Sequence, residues 1–349
     1  MSAAARPVCL LLLLAARLAG GHTVLVSGYS DQLTVVNLTA EGGLARVGAR
    51  QVESALTWLQ LEGDTVWAAH EVETWAGQPG GAVSRWKLDR SGAGLTKVST
   101  VRVPGAGPAH LLLSRDLGLA FTANYGGSSW TVFRLGEAGL ESRPVLHQQF
   151  PACSRGPARP HQTVVRGDWV WVVDLGCDTI RHYRAVGGGV AGAGQTAVRA
   201  GAGPRHLALH PTQPLAFLVC ELTSLLVVYR LNPSTGGLEE LQQLPLSPHP
   251  EDYGAEVVVS EDGRTVYASS RGTGVILVYR LAGEQLGLVQ ELQLAGTWPR
   301  HFALRGKALL VADQHGASLQ ALTVREDGML ESGDMVSTAD QPAFVLFIH

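Results

Sequence analysis

Short runs of alternating apolar and polar residues, separated by tight turns, follow one another along almost the whole chain. In one such unit, alternating residues at 254–259 lead to the turn Glu-Asp-Gly-Arg at 261–264, a second run at 265–268, a small polar step and a third run at 275–279. Alternation with a period of two is typical of half-buried β-strands bounded by turns. The pattern therefore predicts meanders of short antiparallel strands.

The meander recurs, because a similar motif introduces each unit. The motifs are Gly107-Pro108-Ala109-His110-Leu111, Pro160-His161-Gln162-Thr163, Gly203-Pro204-Arg205-His206-Leu207, Gly254-Ala255-Glu256-Val257 and Trp298-Pro299-Arg300-His301-Phe302. Counted from Trp58, the anchor residues lie at intervals of 45 to 52 residues and are His110, His161, His206, Glu256 and His301. Intervals of this size are typical of propeller blades. Six full units are visible.

The two ends of the chain supply a seventh unit. Apolar residues 343–348 lack strand partners, whereas residues 23–27 and 33–37 open the chain as strands that lack a neighbour. Pairing of the two ends would remove the last exposed strand edges. Two β-sandwiches would not repeat one pattern along the whole chain. The sequence therefore predicts an all-β fold, a seven-bladed β-propeller over 22–349 closed by its N- and C-terminal strands.

Composition and charge narrow the class of protein. The chain has 349 residues, of which 46% are apolar and 16% charged, with 42 glycines and 17 prolines, as expected of a packed and turn-rich globule rather than a disordered chain. The formal net charge is −3, so that no overall basic field attracts nucleic acid. Any anion site must be local, and nucleic acid is not expected as a partner.

The first residues have the features of a secretory signal peptide. Arg6 precedes an apolar run at 8–16, and small residues occupy the −3 and −1 positions of a cleavage site before His22. The run is too short to span a bilayer, and no other segment could. We expect residues 1–21 to be removed and the protein to be secreted or in the secretory pathway. The alternative is a disordered N-terminus on a cytoplasmic protein.

Cysteines and a sequon bear on the compartment. After removal of the signal, Cys153, Cys177 and Cys220 remain, so at most one disulfide can form within the chain, and their spacing is not that of a zinc site. Asn37 begins an Asn-Leu-Thr sequon, which predicts glycosylation if this segment is exposed in a secreted protein.

Polar residues recur at related positions of the blades. The first strand of a propeller blade lines the central axis, and the next strand ends at a mouth of the channel, so we expect a charged cup there. Its predicted members are His110, His161, His206, His301, Arg205, Arg300, Glu221, Arg271, Asp174 and Asp313. Two other interpretations stay open. The histidines could fasten one blade to the next, and the charged residues could form a buried ion-pair network.

These motifs resemble the seven-bladed lactonase propellers, the family of bacterial 6-phosphogluconolactonase and fungal carboxy-muconate cyclase. The resemblance covers nearly all of 22–349 and rests on the blade anchors together with Ala123-Asn124-Tyr125-Gly126-Gly127, Val173-Asp174-Leu175-Gly176, Cys220-Glu221-Leu222 and Ala268-Ser269-Ser270-Arg271-Gly272. It implies a catalytic set, which falls on His161, Arg205, Glu221 and Arg271. A short turn at 166–168 and an insertion at 75–81 depart from the family pattern.

The implied chemistry is hydrolysis of a small anionic lactone, or its formation from the open-chain acid. Glu221 or His161 would transfer protons, while Arg205 and Arg271 would hold the substrate's anion and offset oxyanion charge. The further residues expected to bind substrate are His206, Arg300, His301, Asn124 and Asp174. The sequence contains no metal-binding, nucleotide-binding or serine-esterase motif, so no metal or cofactor is expected. The rival hypothesis is a propeller that binds a protein or sugar without catalysis.

Overall fold

The alternating runs form β-strands throughout residues 21–348, the part of the chain that the computed structural model describes. The strand Leu119–Asn124 is a typical example, because every one of its side chains is buried between neighbouring layers. In the described residues, all regular elements are strands. No helix in that part of the chain could cross a membrane.

The strands form seven meanders, which we call blades 1 to 7, with strands labelled in chain order. Blade 1 contains β1 His22–Gly28, β2 Gln32–Leu38, β3 Leu44–Gln51 and β31 Pro342–Phe347; blade 2 contains β4 Leu56–Glu62, β5 Thr65–His70, β8 Gly81–Asp89 and β9 Gly94–Val103; blade 3 contains β10 Pro108–Ser114, β11 Leu119–Asn124, β12 Ser129–Gly136, β13 Gly139–Leu140 and β14 Leu146–Gln149. Blade 4 contains β15 Pro160–Arg166, β16 Trp169–Asp174, β17 Thr179–Val186 and β18 Gly189–Ala197; blade 5 contains β19 Pro204–Leu209, β20 Leu215–Cys220, β21 Leu225–Leu231 and β22 Leu238–Pro245. Blade 6 contains β23 Tyr253–Val259, β24 Thr265–Arg271, β25 Val275–Ala282 and β26 Gln285–Gln293; blade 7 contains β27 Pro299–Arg305, β28 Ala308–Asp313, β29 Ser318–Val324 and β30 Leu330–Ser337.

Two departures from a plain meander lie in blades 2 and 3. The predicted insertion in blade 2 forms a small hairpin of β6 Thr74–Trp75 and β7 Gln78–Pro79. In blade 3 the outer partner of β12 is divided into β13 and β14, each of which pairs with a different end of β12. All other blades have four antiparallel strands.

The predicted pairing of the chain ends is confirmed. Strand β31 pairs antiparallel with β1, so that Val24 lies opposite Phe347 and Val26 opposite Val345. Blade 1 therefore takes three strands from the start of the chain and one from its end. Seven such blades with this closure are the architecture of a seven-bladed β-propeller, and the predicted fold class is confirmed.

The chain divides into two compact units. In the described residues, unit 1 comprises 21–68, 84–100 and 294–348, and unit 2 comprises 69–83 and 101–293. Unit 1 contains blades 1 and 7, and unit 2 contains blades 3 to 6. Three of the boundaries fall within strands of blade 2, and the boundary at 293/294 lies between blades 6 and 7. Each unit has its own apolar clusters, built in unit 1 around Leu25 and Val345 and in unit 2 around Trp171.

The exposure on which glycosylation of Asn37 depends is not found in the structure. Asn37 is a buried residue of β2, its side-chain oxygen accepts a hydrogen bond from the Thr23 hydroxyl at 3.1 Å, and its amide nitrogen is also buried. The nitrogen that would carry the sugar is therefore inaccessible in the folded protein. The predicted signal peptide, apart from Gly21, lies outside the described residues.

Candidate functional site

The first strand of blades 3 to 7 begins with a β-bulge at the anchor motif. In blade 4, Pro160 pairs with Asp174 and Gln162 with Val173, so that His161 is the extra residue. In blade 5 the extra residue is Arg205, and in blade 7 it is Arg300. A bulge redirects the side chain of its extra residue. This register corrects the repeat read from the sequence, because His161 is equivalent to Arg205 and not to His206.

The residue after the bulge fastens its blade to the next one. In unit 2, Gln162 Oε1 accepts a hydrogen bond from Leu207 N at 2.6 Å. In unit 1, His301 Nδ1 accepts one from Val345 N at 3.2 Å. His206 has the same position and faces Glu256, with 2.9 Å between Nδ1 and a carboxylate oxygen. The fastener interpretation is therefore correct for His206 and His301, and their expected contact with substrate is not supported.

The side chains of Arg205 and Arg271 both contact the carboxylate of Glu221. One Glu221 carboxylate oxygen lies 3.0 Å from Arg205 Nε and 3.0 Å from Arg271 Nη2. The side chains of Arg205 and Arg271 are 3% and 4% exposed, whereas that of Glu221 is 20% exposed. Two guanidinium groups stabilise the ionised form of the carboxylate. The arrangement holds a charged carboxylate in a fixed position that solvent still reaches.

Backbone contacts hold the two arginines as well. Arg205 Nη1 donates to the carbonyl oxygen of Ala255 at 2.6 Å, and Arg271 Nη2 donates to that of Gly254 at 2.9 Å. Gly254 must be a glycine, because a Cβ atom there would lie 2.6 Å from the carbonyl oxygen of Cys220. The approach of β23 to the end of β20 therefore positions the ion pairs. It also explains why buried guanidinium groups are tolerated, since they are paired and hydrogen-bonded.

His161 lies beside this group within the same unit. Its ring is buried and stands nearly perpendicular to two others, with centroid distances of 4.9 Å to His206 and 5.8 Å to Tyr125. His206 is held in turn by Glu256. His161 therefore has a fixed orientation set by rings on either side. Unit 2 thus contains all four residues of the predicted catalytic set.

Tyr125 is a site residue that sequence reasoning missed. Burial, followed by the charge of Glu221, raises the pKa of the Tyr125 phenol, while the charges of Arg159 and Arg205 act in the opposite direction. The phenol is therefore protonated at neutral pH and close enough to Glu221 to sense its charge. The repeat of the blades could have identified it, because Tyr125 and Glu221 occupy equivalent positions. Tyr125 N donates to the carbonyl oxygen of the residue before Pro108, and Glu221 N donates to that of the residue before Pro204.

His110 contributes to the electrostatics without a place in the predicted catalytic set. Burial lowers its pKa well below the ordinary value, and the positive charge of His206 lowers it further. His110 is therefore neutral at physiological pH. His206 Nδ1 lies within hydrogen-bond distance of both carboxylate oxygens of Glu256. Two imidazoles with different surroundings thus lie in unit 2, one whose pKa is lowered chiefly by burial and one that faces Glu256.

The prediction that Asn124 binds substrate is wrong. Asn124 is fully buried, and its side-chain nitrogen donates to the hydroxyls of Ser129 at 3.1 Å and Thr131 at 2.9 Å. These bonds join β11 to β12 within blade 3. A substrate cannot reach this amide, so its role is structural.

The prediction for Asp174 is also wrong. This carboxylate is fully buried and accepts hydrogen bonds from Arg159 N at 2.8 Å, Cys177 N at 3.2 Å and Arg181 Nη2 at 2.9 Å. It ties the end of β16 to the segment before β15. Asp313 has the equivalent role in blade 7, where it accepts hydrogen bonds from Trp298 N and Gly316 N.

Arg300 is half-buried in unit 1. Its Nη2 donates to the Tyr29 hydroxyl at 2.8 Å, and its guanidinium carbon lies 5.3 Å from the centre of the Tyr29 ring. Binding of substrate by Arg300 stays a prediction. In residues 21–348, no group of three or more histidine, cysteine, aspartate or glutamate side chains is arranged to hold a metal ion.

A disulfide lies next to the site. Cys153 and Cys177 are bonded, with Cα atoms 5.7 Å apart, and join the segment before His161 to the turn after β16. This accounts for the single bridge that the cysteine count allows. The remaining described cysteine, Cys220, is buried and is not in a disulfide. Burial raises the pKa of its thiol, which is therefore protonated and unreactive.

The chain is similar in sequence and in fold to known proteins. The family description "Lactonase, 7-bladed beta-propeller" matches residues 20–347. The chain is 29% identical to a 6-phosphogluconolactonase of Bacillus subtilis over 77% of this chain and 81% of the relative. It is 28% identical to one of Pectobacterium carotovorum over 85% and 89%. The solved structure of a periplasmic gluconolactonase of Pseudomonas aeruginosa is similar in fold, with a TM-score of 0.85, 23% identity and coverage of 94% and 99%.

Proposed function

The chain belongs to the lactonase family of seven-bladed β-propellers, and from this premise we propose that Glu221 and His161 catalyse the hydrolysis of a small anionic lactone. The protein is a lactonase-type enzyme, similar to 6-phosphogluconolactonases. The position of Glu221 carries the assignment of roles. It is the carboxylate that two buried arginines orient while part of its surface remains open to solvent.

Glu221 acts as the general base in the first step. A water molecule between Glu221 and the substrate loses a proton to the carboxylate as its oxygen bonds to the lactone carbonyl carbon. The carbonyl oxygen becomes an oxyanion in the tetrahedral intermediate. The charges of Arg205 and Arg271 lie beside Glu221 and stabilise this negative charge.

His161 acts as the proton donor in the second step. The bond between the carbonyl carbon and the ring oxygen breaks, and the leaving oxygen receives a proton from His161. The product is the open-chain hydroxy acid. The proton held by Glu221 then passes to His161, directly or through solvent, which restores both residues. The edge-to-face contacts with the rings of His206 and Tyr125 keep the His161 imidazole in one orientation.

An activity panel tests the proposal. Purified protein is incubated with phosphorylated, carboxylated and neutral aldonolactones, and the hydroxy acid released is compared with spontaneous hydrolysis. The reverse direction is followed with the open-chain acids. We expect catalysed hydrolysis of an anionic lactone that a chelator does not abolish. Absence of turnover with every lactone would refute the proposal, and loss of activity with chelator would refute the mechanism.

We further propose that the protein matures in the secretory pathway. The disulfide between Cys153 and Cys177 supports this location, because disulfides persist in oxidising compartments. The first strand begins at His22, the residue after the predicted cleavage site. N-terminal sequencing of the protein from cells should begin near His22, and mass analysis should show an unmodified Asn37. A retained Met1 together with reduced cysteines would contradict this location.

A further inference from the structure

A third arginine lies at the site and has a different environment from the other two. Arg159 is half-buried and precedes β15 directly. Its guanidinium carbon lies 5.0 Å from the centre of the Tyr125 ring, and its Nη1 donates to the carbonyl oxygen of Tyr125 at 3.1 Å. In blades 3 and 5 the equivalent residues, Gly107 and Gly203, are glycines with positive φ. Blade 4 therefore adds a cation where two other blades have no side chain.

The charge of Arg159 is not neutralised within the described protein. Arg205 and Arg271 share the Glu221 carboxylate, and Arg155, in the same segment as Arg159, pairs with Asp178. In residues 21–348, Arg159 has no carboxylate within ion-pair distance. A partly buried and unpaired guanidinium gains most from an anionic ligand, which it can bind with two parallel hydrogen bonds.

The backbone of Arg159 is held rigidly. Its N–H donates to Asp174 Oδ1 at 2.8 Å, and its carbonyl oxygen accepts from Leu175 N at 3.0 Å. A Cβ atom at Gly176 would lie 2.2 Å from the carbonyl oxygen of Pro157, so the two segments touch. The disulfide joins the same two segments. A guanidinium on such a support loses little conformational entropy when it binds a ligand.

Arg159 also shares its surroundings with the proposed catalytic residues. The pKa of the Tyr125 phenol depends on the charges of Glu221, Arg159, Glu71 and Arg205 together. In the part of the chain that the structure describes, the Tyr125 hydroxyl makes no hydrogen bond. It is therefore a donor that a ligand oxygen can use. One side of the Glu221 site thus presents a cation and a neutral hydroxyl.

We propose that Arg159 and the Tyr125 hydroxyl form the subsite that binds the anionic group of the substrate, a carboxylate or a phosphate remote from the lactone carbonyl. The inference rests on the proposed lactonase function and names its determinant of charge specificity. It also changes the roles of the other arginines. Arg205 and Arg271 hold Glu221 and stabilise the oxyanion, and Arg159 selects the anion.

The test compares substrates that differ in charge. Arg159→Gln is assayed with a phosphorylated aldonolactone, a carboxylated lactone and the neutral lactone of the same sugar. We expect KM for the anionic lactone that the wild type uses to rise about 10- to 100-fold, with kcat changed little, and KM for the neutral lactone to stay within about twofold. Arg159→Lys should be intermediate, since it keeps the charge without the paired donors.

The matched control is Arg184→Gln in the same blade. Arg184 also lies over an aromatic ring, 5.2 Å from the centre of Trp169, but pairs with Asp168. Its replacement removes the same charge from the protein and should leave both KM values unchanged. Equal changes of KM for charged and neutral lactones in Arg159→Gln, or no change for either, would overturn the proposal.

Failure of the proposed function is distinguishable from failure of this inference. If the wild type hydrolyses no lactone, the proposed function fails, and calorimetry with 6-phosphogluconate as the probe decides on the subsite. The anion subsite is supported if the wild type and Arg184→Gln bind 6-phosphogluconate with equal affinity and Arg159→Gln binds it at least tenfold more weakly. No binding, or equal binding by all three proteins, would overturn it.

Discussion

Blades 5 and 7 carry the same tripeptide, Pro-Arg-His, and use it differently. In blade 5, Arg205 forms an ion pair with Glu221, and His206 faces the carboxylate of Glu256. In blade 7, the Arg300 guanidinium donates to the Tyr29 hydroxyl at 2.8 Å and to the Gln314 amide oxygen at 3.5 Å. There His301 accepts a backbone hydrogen bond. The arginine of the motif therefore contacts the charged side chain of Glu221 in unit 2 and the neutral side chain of Gln314 in unit 1.

The difference comes from the residue that follows the second strand of each blade. Glu221 and Gln314 are equivalent, because each donates its N–H to the carbonyl oxygen before the motif's proline, at 2.7 Å and 3.0 Å. They have nearly the same shape and differ in charge. The bulge and the proline thus build the same support in both blades, and a single side chain determines whether the position can act as a base.

The largest effect is expected when Glu221 of blade 5 is replaced by glutamine, the residue at the equivalent position 314 of blade 7. Glu221→Gln keeps the shape of the side chain and removes its capacity to accept a proton. We expect kcat for the anionic lactone to fall by about 100-fold or more, with KM changed less. Glu239→Gln, at an exposed carboxylate paired with Arg230, is the control. Wild-type kcat in Glu221→Gln, with an unchanged melting temperature, would exclude Glu221 as the base.

A smaller effect is expected from matched changes in the two arginines. Arg205→Lys loses the planar group that contacts both Glu221 and the Ala255 carbonyl oxygen, so we expect kcat/KM to fall about tenfold. Arg300→Lys removes the contacts with Tyr29 and Gln314 but leaves the Glu221 carboxylate in place, so we expect the smaller loss of the two. Steady-state kinetics of both variants measure the difference. Equal losses would mean that the two blades contribute alike to the reaction.

The smallest effect concerns the stability of unit 2 in acid. His110 is neutral in the folded protein because its pKa is well below the ordinary 6.5, whereas the unfolded chain takes up a proton near pH 6.5. The unfolded state then binds more protons, so this contribution to stability is complete above about pH 6.5 and is lost as the pH falls below that value. His182, whose pKa burial lowers to about 4, acts in the same direction.

Urea unfolding at a series of pH values tests this expectation. The free energy of unfolding should decline between pH 7 and pH 5, and the decline should be shallower in His110→Gln than in the wild type. His249→Gln, at an exposed position of a loop, should keep the wild-type slope. The slope is diagnostic even if His110→Gln lowers stability at every pH. An unchanged slope would show that His110 is protonated in the folded state.

Much of the protein could be predicted from its sequence. The period-two alternation and the repeat of 45 to 52 residues determine strands and blades, because both are local consequences of burying one face of each strand. The apolar ends of the chain predicted the pairing of β1 with β31 for the same reason. The catalytic set of His161, Arg205, Glu221 and Arg271 could be named from the resemblance to the lactonase propellers, and the pattern of the blades independently predicted polar residues around the channel.

Only the tertiary structure decided what those polar residues do. A one-residue bulge shifts His161 out of the histidine series and into the series of Arg205, a change that the spacing of motifs does not reveal. Burial distinguishes Asn124 and Asp174, which hold neighbouring segments of one blade together, from Tyr125, whose phenol is influenced by the charge of Glu221. Arg159 differs from Arg205 and Arg271 in being half-buried and in having no carboxylate partner within the described chain. Register, burial and pairing depend on residues that are distant in the chain, so the sequence determined the blades and the fold determined the site.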